Sequence, residues 1–188
     1  EMMGASQSLM GIPVNAVVRD IHFGPAHALW NELRHTTGMK TIAPRNSQFQ
    51  IRAALKRGEA VAFLIDQHMP KTRGIVCSFF GRLASTSPAP VRFAMMTGAP
   101  VVPVVIYRDG APGHHVVEFH PVFSLETPHA EREQNIWHNT ERLNRIIEAW
   151  VRRAPEQWLW VHRRWKVHDK SAGWDIPEAL RSLVGRRY

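Results

Sequence analysis

An apolar run, Ala60-Val-Ala-Phe-Leu-Ile65, ends abruptly in Asp66 and Gln67. Its apolar residues are consecutive rather than alternate, as in a strand covered on both faces by helices. A carboxylate and an amide then stand at the carboxyl end of a central strand, the edge where open α/β sheets bind ligands. An isolated Asp at that place also serves simply to cap the turn after a strand. Arg45 closes a second extended stretch, Lys40-Thr-Ile-Ala-Pro44, and a guanidinium grips phosphate or carboxylate through two parallel hydrogen bonds. Arg19 ends an earlier strand in the same manner. Three polar strand termini point to one shared mouth, with Arg19, Arg45, Asp66 and Gln67 as its substrate-binding candidates. His22 and His27 invite a catalytic or metal reading, since residues so spaced can approach each other. Pro25 interrupts the segment and no carboxylate or third ligand is placed to complete a site, so they read as loop and helix-start histidines and no metal site is expected.

These termini need a framework that alternates strands and helices. Met2, Ala5, Leu9 and Ile12 are spaced for a short helix closed by Gly11. Pro13 to Asp20 reads as a strand, and Pro25 opens a helix that stops at Gly38. Asn46 is a good N-cap for a helix that runs to Gly58. Beyond the run to Gln67, Ile75 to Gly81 is apolar, a helix starts near Pro88, and Ala99 to Tyr107 forms a second core strand with its prolines near the start. Turn chemistry at 108–113 predicts an antiparallel hairpin into 115–123. The longest periodic run, Ala130 to Arg153, is a helix with Ile136, Trp137, Leu143, Ile146, Ile147, Trp150 and Val151 on one face. The expected fold is a single α/β domain over residues 1–168, its mixed, mostly parallel central sheet covered by helices on both faces, with a loosely held tail at 169–188.

The 188 residues are 44% hydrophobic, enough for a sizeable core. The single cysteine, Cys77, rules out an internal disulfide and favours a reducing compartment. No apolar run approaches the roughly 20 residues that cross a bilayer. A net charge of +8 calls for an anionic partner: nucleic acid, a phospholipid surface or an acidic carrier. Trp158-Leu-Trp-Val-His-Arg163-Arg164-Trp165-Lys166 mixes aromatic bodies with cationic heads, which suits a water-lipid boundary and also suits stacking on bases. Trp158, Arg163, Arg164, Trp165 and Lys166 are therefore candidates for a membrane or anionic-surface contact. The plainer reading is a helix that buries Trp158, Leu159 and Val161 and leaves Arg163, Arg164 and Lys166 wet.

Four segments in order, Phe63-Leu-Ile-Asp66-Gln67, Phe79-Phe80-Gly81-Arg82, Thr97-Gly98-Ala99-Pro100-Val101-Val102-Pro103 and Pro155 to Trp165, together resemble the lipid A biosynthesis (lauroyl/myristoyl) acyltransferase family, a branch of the glycerolipid acyltransferase superfamily. The likeness extends over nearly the whole chain. It implies a glycerolipid acyltransferase-like fold and transfer of a fatty acyl chain from acyl carrier protein or coenzyme A to a hydroxyl of a lipid A precursor or related glycolipid. The implied place is the cytoplasmic face of the bacterial inner membrane, and no cofactor is implied beyond the acyl donor. The family's signature is a His followed five residues later by an acid, then a helix and a strand ending in Arg. Glu1 precedes such a helix and the strand that ends at Arg19, so it resembles the acid, its His lying upstream and this chain being an amino-terminally truncated piece that is inactive alone. His22-Phe-Gly resembles the signature only superficially, because it lacks the acid and follows the first strand.

The resemblance implies a general-base mechanism in which that His activates the acceptor hydroxyl, Glu1 steadies the imidazole and cationic groups receive the oxyanion. Arg45 resembles the superfamily's arginine for an acceptor phosphate, Asp66-Gln67 occupy its third motif and Gly98 to Pro103 its fourth. The third motif departs from the Glu-Gly-Thr pattern of glycerol-phosphate enzymes, which favours a saccharolipid. Acyl carrier protein, an anionic lipid or glycolipid and a membrane surface are the expected partners. A basic nucleic-acid-binding domain is the competing class, weakened by cations scattered over several elements, so no nucleic acid is expected. A third possibility is acyl transfer to a phosphatidylinositol mannoside or another phospholipid.

Overall fold

Three short strands, β1 (Val14–Val17), β2 (Lys40–Ile42) and β3 (Ala60–Ala62), pair in parallel in the order β2-β1-β3. The computed structural model describes residues 2–17, 24–42, 47–169 and 171–185. Their connections are helices, α1 (Met2–Leu9) ahead of β1, α2 (Gly24–Thr36) between β1 and β2, and α3 (Ser47–Lys56) between β2 and β3, the arrangement that parallel pairing requires. Register is pinned at the amino ends by Glu59, which accepts hydrogen bonds from Lys40 Nζ at 2.7 Å, Arg57 at 2.9 Å and Asn15 Nδ2 at 2.9 Å. Those donors, Arg57 first, hold its carboxyl far below the usual range. Val14, Ile42, Ile51 and Ala54 are buried around the sheet. These elements belong to one compact unit, Glu1–Phe63 with Met96–Ala99, and the rest of the chain, Leu64–Met95 with Pro100–Tyr188, forms a second.

The second unit is built on an antiparallel hairpin, β4 (Ile75–Phe79) and β5 (Arg82–Thr86). Its two-residue turn places Phe80 at φ 52° and Gly81 at φ 70°, the left-handed pair that matches strand twist. A phenylalanine is uncommon there. Phe80 is held by an edge-to-face contact with Phe79 at 4.9 Å, by the Arg152 guanidinium 4.6 Å above its ring, and by donation of its N–H to Glu148 at 2.7 Å.

Helix α5 (Arg132–Arg153) covers the open edge of β4. Trp137 Nε1 donates to the Val76 carbonyl at 2.9 Å, and Asn144 Nδ2 to that of Ser78 at 2.9 Å. Glu141 accepts from the Ser78 N–H at 2.8 Å, as Glu148 does from Phe80. Trp137, Glu141, Asn144 and Glu148 are spaced four, three and four residues apart, so one helix face meets alternate groups of an extended strand. An edge that would otherwise offer itself for pairing is thereby closed. On the other side of the hairpin, the Ser85 carbonyl accepts from Met69 N and from Arg164, and Leu83 N donates to His168 Nδ1 at 3.4 Å.

Helix α4 (Ala89–Thr97) follows, burying Val91, Phe93 and Ala94. A second antiparallel pair, β6 (Val104–Arg108) with β7 (His115–Phe119), confirms the predicted hairpin. Short 3-10 turns at Pro155–Gln157 and Glu178–Leu183 flank α6 (Lys166–Asp169).

The α/β class stands, with parallel and antiparallel strands both present, but among the described residues the three ladders are separate. Two expectations change. The run from Ala60 is a strand only to Ala62, at the edge of its sheet, so Asp66 and Gln67 follow it on a bend instead of ending a central strand. The run from Ala99 makes one bridge, Val101 to Phe123, and ladders only from Val104, because Pro100 and Pro103 bring no N–H. The segment after 168 is also less loose than its polarity suggests: Leu180 is buried with Val76, Leu83 and Val167, and Trp174, Ile176 and Leu183 pack against them.

Candidate functional site

Glu1, Arg19, Arg45 and His22 lie outside the described residues, as does the side chain of His27. The described strands do show where the neighbouring chain leaves the sheet. Val17 is level with Ile42 and Ala16 with Ala62, so the carboxyl ends of β1, β2 and β3 share one edge. A turn at 10–13, with Gly11 at φ 83°, joins α1 to β1.

Asp66 and Gln67 belong to the second unit, where the sequence brings them to an unexpected partner. The Arg164 guanidinium donates to the Gln67 carbonyl at 3.1 Å, to the Ser85 carbonyl, to Thr86 Oγ1 at 2.8 Å and to Asn144 Oδ1 at 3.3 Å. It also lies 4.9 Å over the Phe79 ring. Asn144 completes the cluster by donating to Thr86 Oγ1 at 3.0 Å. Arg164 is 0% exposed, and burial pushes its pKa down to about 10, leaving it cationic at neutral pH. The sequence placed Arg164 on a wet, anion-facing surface; it is instead a buried tie between the 66–68 loop, β5 and α5. Its planar fork can satisfy several carbonyls at once, which makes a fully buried arginine tolerable.

One residue further on, the backbone N–H of His68 donates to His162 Nε2, which fixes His162 as a neutral acceptor. Burial depresses the pKa of His162, with Arg164 and Lys166 adding to the effect and Asp66 opposing it. Burial also lowers that of His68, again with Lys166, Arg164 and His162 contributing. Asp66 is half-buried, Gln67 exposed. A carboxylate, an exposed amide and the His68 imidazole thus follow one another on a loop clamped by Arg164, with the His162 imidazole hydrogen-bonded to it, a set able to hold hydroxyls and to orient them. Among the described residues no three His, Cys, Asp or Glu side chains gather to hold a metal ion.

The remaining surface candidates divide. Trp158 and Trp165 are half-buried on Phe79, with ring centroids at 5.6 and 5.9 Å, and Trp165 Nε1 donates to the Phe79 carbonyl at 3.0 Å. Arg163 and Lys166 are exposed. Residues 158–165 form turns, not the helix of the plainer reading, and Val161 is 86% exposed where that reading buried it. The sequence reading also missed Asn144 and Thr86. Their signal was there: Asn139, Thr140 and Asn144 lie in phase with Ile136, Leu143 and Ile147, polar residues on the side of α5 that should be apolar.

A parallel sheet with helical connections in one unit, and in the other a hairpin whose edges are filled by helix side chains and a buried arginine, define an α/β protein. Residues 9–167 match bacterial lipid A biosynthesis acyltransferase, and the chain belongs to that family. It is 31% identical over 144 residues to a lipid A biosynthesis lauroyltransferase of Escherichia coli, covering 75% of this chain and 44% of that protein. It is 32% identical over 130 residues to a lipid A biosynthesis palmitoleoyltransferase of the same organism, 68% of this chain and 40% of that protein. Identity to a lipid A biosynthesis acyltransferase of Haemophilus influenzae is 27% over 133 residues, 71% and 40% of the two. The matches thus span less than half the length of these relatives.

Proposed function

We propose that the protein transfers a fatty acyl chain from an acyl thioester, carried by acyl carrier protein or coenzyme A, to a hydroxyl of a lipid A precursor or a closely related glycolipid. The observation that carries this reading is the family match over residues 9–167, with the motif segments around Asp66, Phe80, Gly98 and Trp158 in their expected order. The proposed place of action is the cytoplasmic face of the bacterial inner membrane. Among the described residues no helix is long and apolar enough to cross a bilayer, so in this region contact with lipid would be made by surfaces. A net charge of +8 favours approach to anionic lipid, a phosphorylated acceptor and an acidic carrier alike.

In the proposed mechanism a His five residues ahead of Glu1 takes the proton of the acceptor hydroxyl, a role that contributes about two to four orders of magnitude in rate. Glu1 orients that imidazole and stabilises its charged form. The activated oxygen attacks the thioester carbonyl, the thiol leaves, and the proton passes to it from the imidazolium. Arg45 binds an acceptor phosphate, Arg19 adds positive charge for the tetrahedral oxyanion, and Asp66 and Gln67 hold acceptor hydroxyls. The carboxyl ends of β1, β2 and β3 share one edge, and in the sequence Arg19 follows Val17 by two residues and Arg45 follows Ile42 by three, which supports giving both arginines to the acceptor.

The test is a mass-spectrometric assay on the protein extended upstream through that His, supplied with acyl carrier protein bearing a fatty acid and a lipid A precursor. The expected product is heavier by one acyl group. A precursor that returns unmodified, with acyl-carrier consumption no faster than spontaneous hydrolysis, would overturn the assignment.

A further inference from the structure

Leu159, Trp160 and Val161 are consecutive and 58%, 52% and 86% exposed. Isolated apolar residues on a surface are ordinary, but three together at the apex of one turn make a patch. This apex is ordered from behind. Trp158 packs on Phe79, Trp160 meets Trp158 edge-on at 4.7 Å and stacks on Trp165 at 6.5 Å, and Arg82 lies 5.8 Å over Trp165. A partner therefore meets a preformed surface and the ordering cost of binding is small.

Several donors of the turn are already paired within it. Backbone N–H groups of Trp160, His162 and Arg164 donate to the carbonyls of Trp158, Leu159 and His162 at 2.9, 3.2 and 2.8 Å. The indole Nε1 of Trp160 donates to the Pro155 carbonyl at 2.6 Å. Donors already satisfied within the turn are not stranded when the apex enters an apolar medium. Cations border it: Arg163 and Lys166 are exposed in the same segment, and Arg152, 61% exposed at its side chain, lies over Phe80, the neighbour of Phe79 beneath Trp158.

We propose that residues 159–161 are a wedge that enters the interfacial layer of an anionic bilayer, with Arg152, Arg163 and Lys166 facing the lipid phosphates. The inference rests on the reading that the acceptor is a membrane lipid, and it moves the contact to Trp160 and to Leu159 and Val161, which the plainer sequence reading buried. An apolar apex inside a cationic border matches the layering of a bilayer, with anionic headgroups outside and hydrocarbon beneath, and tryptophan is at home at that boundary.

Cys77 is the sole cysteine and is 0% exposed, so an environment-sensitive fluorophore can be placed selectively at Val161→Cys. Val122→Cys, at a position 58% exposed just after β7, is the control. With vesicles containing anionic phospholipid, the label at 161 should shift to the blue and be quenched by bromine-bearing acyl tails, while the label at 122 should not respond. Leu159→Ser with Val161→Ser should weaken vesicle partition by roughly tenfold or more without moving the unfolding midpoint. A label at 161 that ignores the vesicles, responds no more than the one at 122, or responds to acidic carrier protein alone would overturn the wedge. A silent label on an active enzyme sinks the wedge only; a responsive label on an inactive one sinks only the acyl-transfer reading.

Discussion

Helix α5 and the turn at 159–161 invert the usual division of residues, in opposite directions. In α5, Asn139, Thr140 and Asn144 are fully buried; at the turn, Val161 is 86% exposed. The helix can bury amides because each has partners: Asn139 Nδ2 donates to the carbonyls of Glu126 at 2.7 Å and Asn135 at 2.8 Å, and Asn144 meets Ser78 and Thr86. A satisfied polar group is inexpensive to bury, whereas an exposed apolar one gains nothing from water. The polar stripe therefore accounts for the fold, while Leu159 and Val161, carried on the packed Trp160, face outward and are free to serve binding.

That contrast can be broken by substitution. Arg164→Met should have the largest effect, lowering stability by about 3–5 kcal/mol in a denaturant titration, because the Gln67 and Ser85 carbonyls, Thr86 and Asn144 all lose a charged donor. A change below about 1 kcal/mol would mean that the arginine is not the tie described. Asn144→Leu should cost about 1–3 kcal/mol, since it strands the Ser78 carbonyl and removes a bond to Thr86.

Glu141→Gln sharpens the comparison through pH. Burial raises the Glu141 pKa, against the Ser78 N–H bond, which lowers it. Between the ordinary carboxyl value and that raised one, the folded chain holds more protons than the unfolded chain, so stability contributed by this group falls as pH rises through the window. The amide keeps an acceptor for Ser78 and should remove that slope; an unchanged pH profile would show that the carboxyl is not desolvated. The paired serine substitutions at Leu159 and Val161 should have the smallest effect on folding, within about 0.5 kcal/mol. A larger loss would make the apex part of the core.

Much of the fold was legible because its elements are local. Pro25 and Gly38 bound α2, the alternation up to Ala62 requires parallel pairing, and the turn at 108–113 fixes the second hairpin. What pattern missed depends on distant partners. Nothing near Arg164 in sequence announces that Ser85, Thr86 and Asn144 will surround it, and nothing near Val161 announces that the chain turns there instead of continuing as a helix. Of the candidate mouth, Asp66 and Gln67 proved to sit on a clamped bend, a position that apolar continuity to Ile65 disguised as a strand end.

The account of function is tested most directly by acyl transfer from acyl carrier protein to a lipid A precursor, comparing the upstream-extended protein with its Glu1→Ala variant. The account predicts turnover by the first and a loss of about a hundredfold or more in the second, with unfolding unchanged. Equal turnover by the two proteins would contradict it.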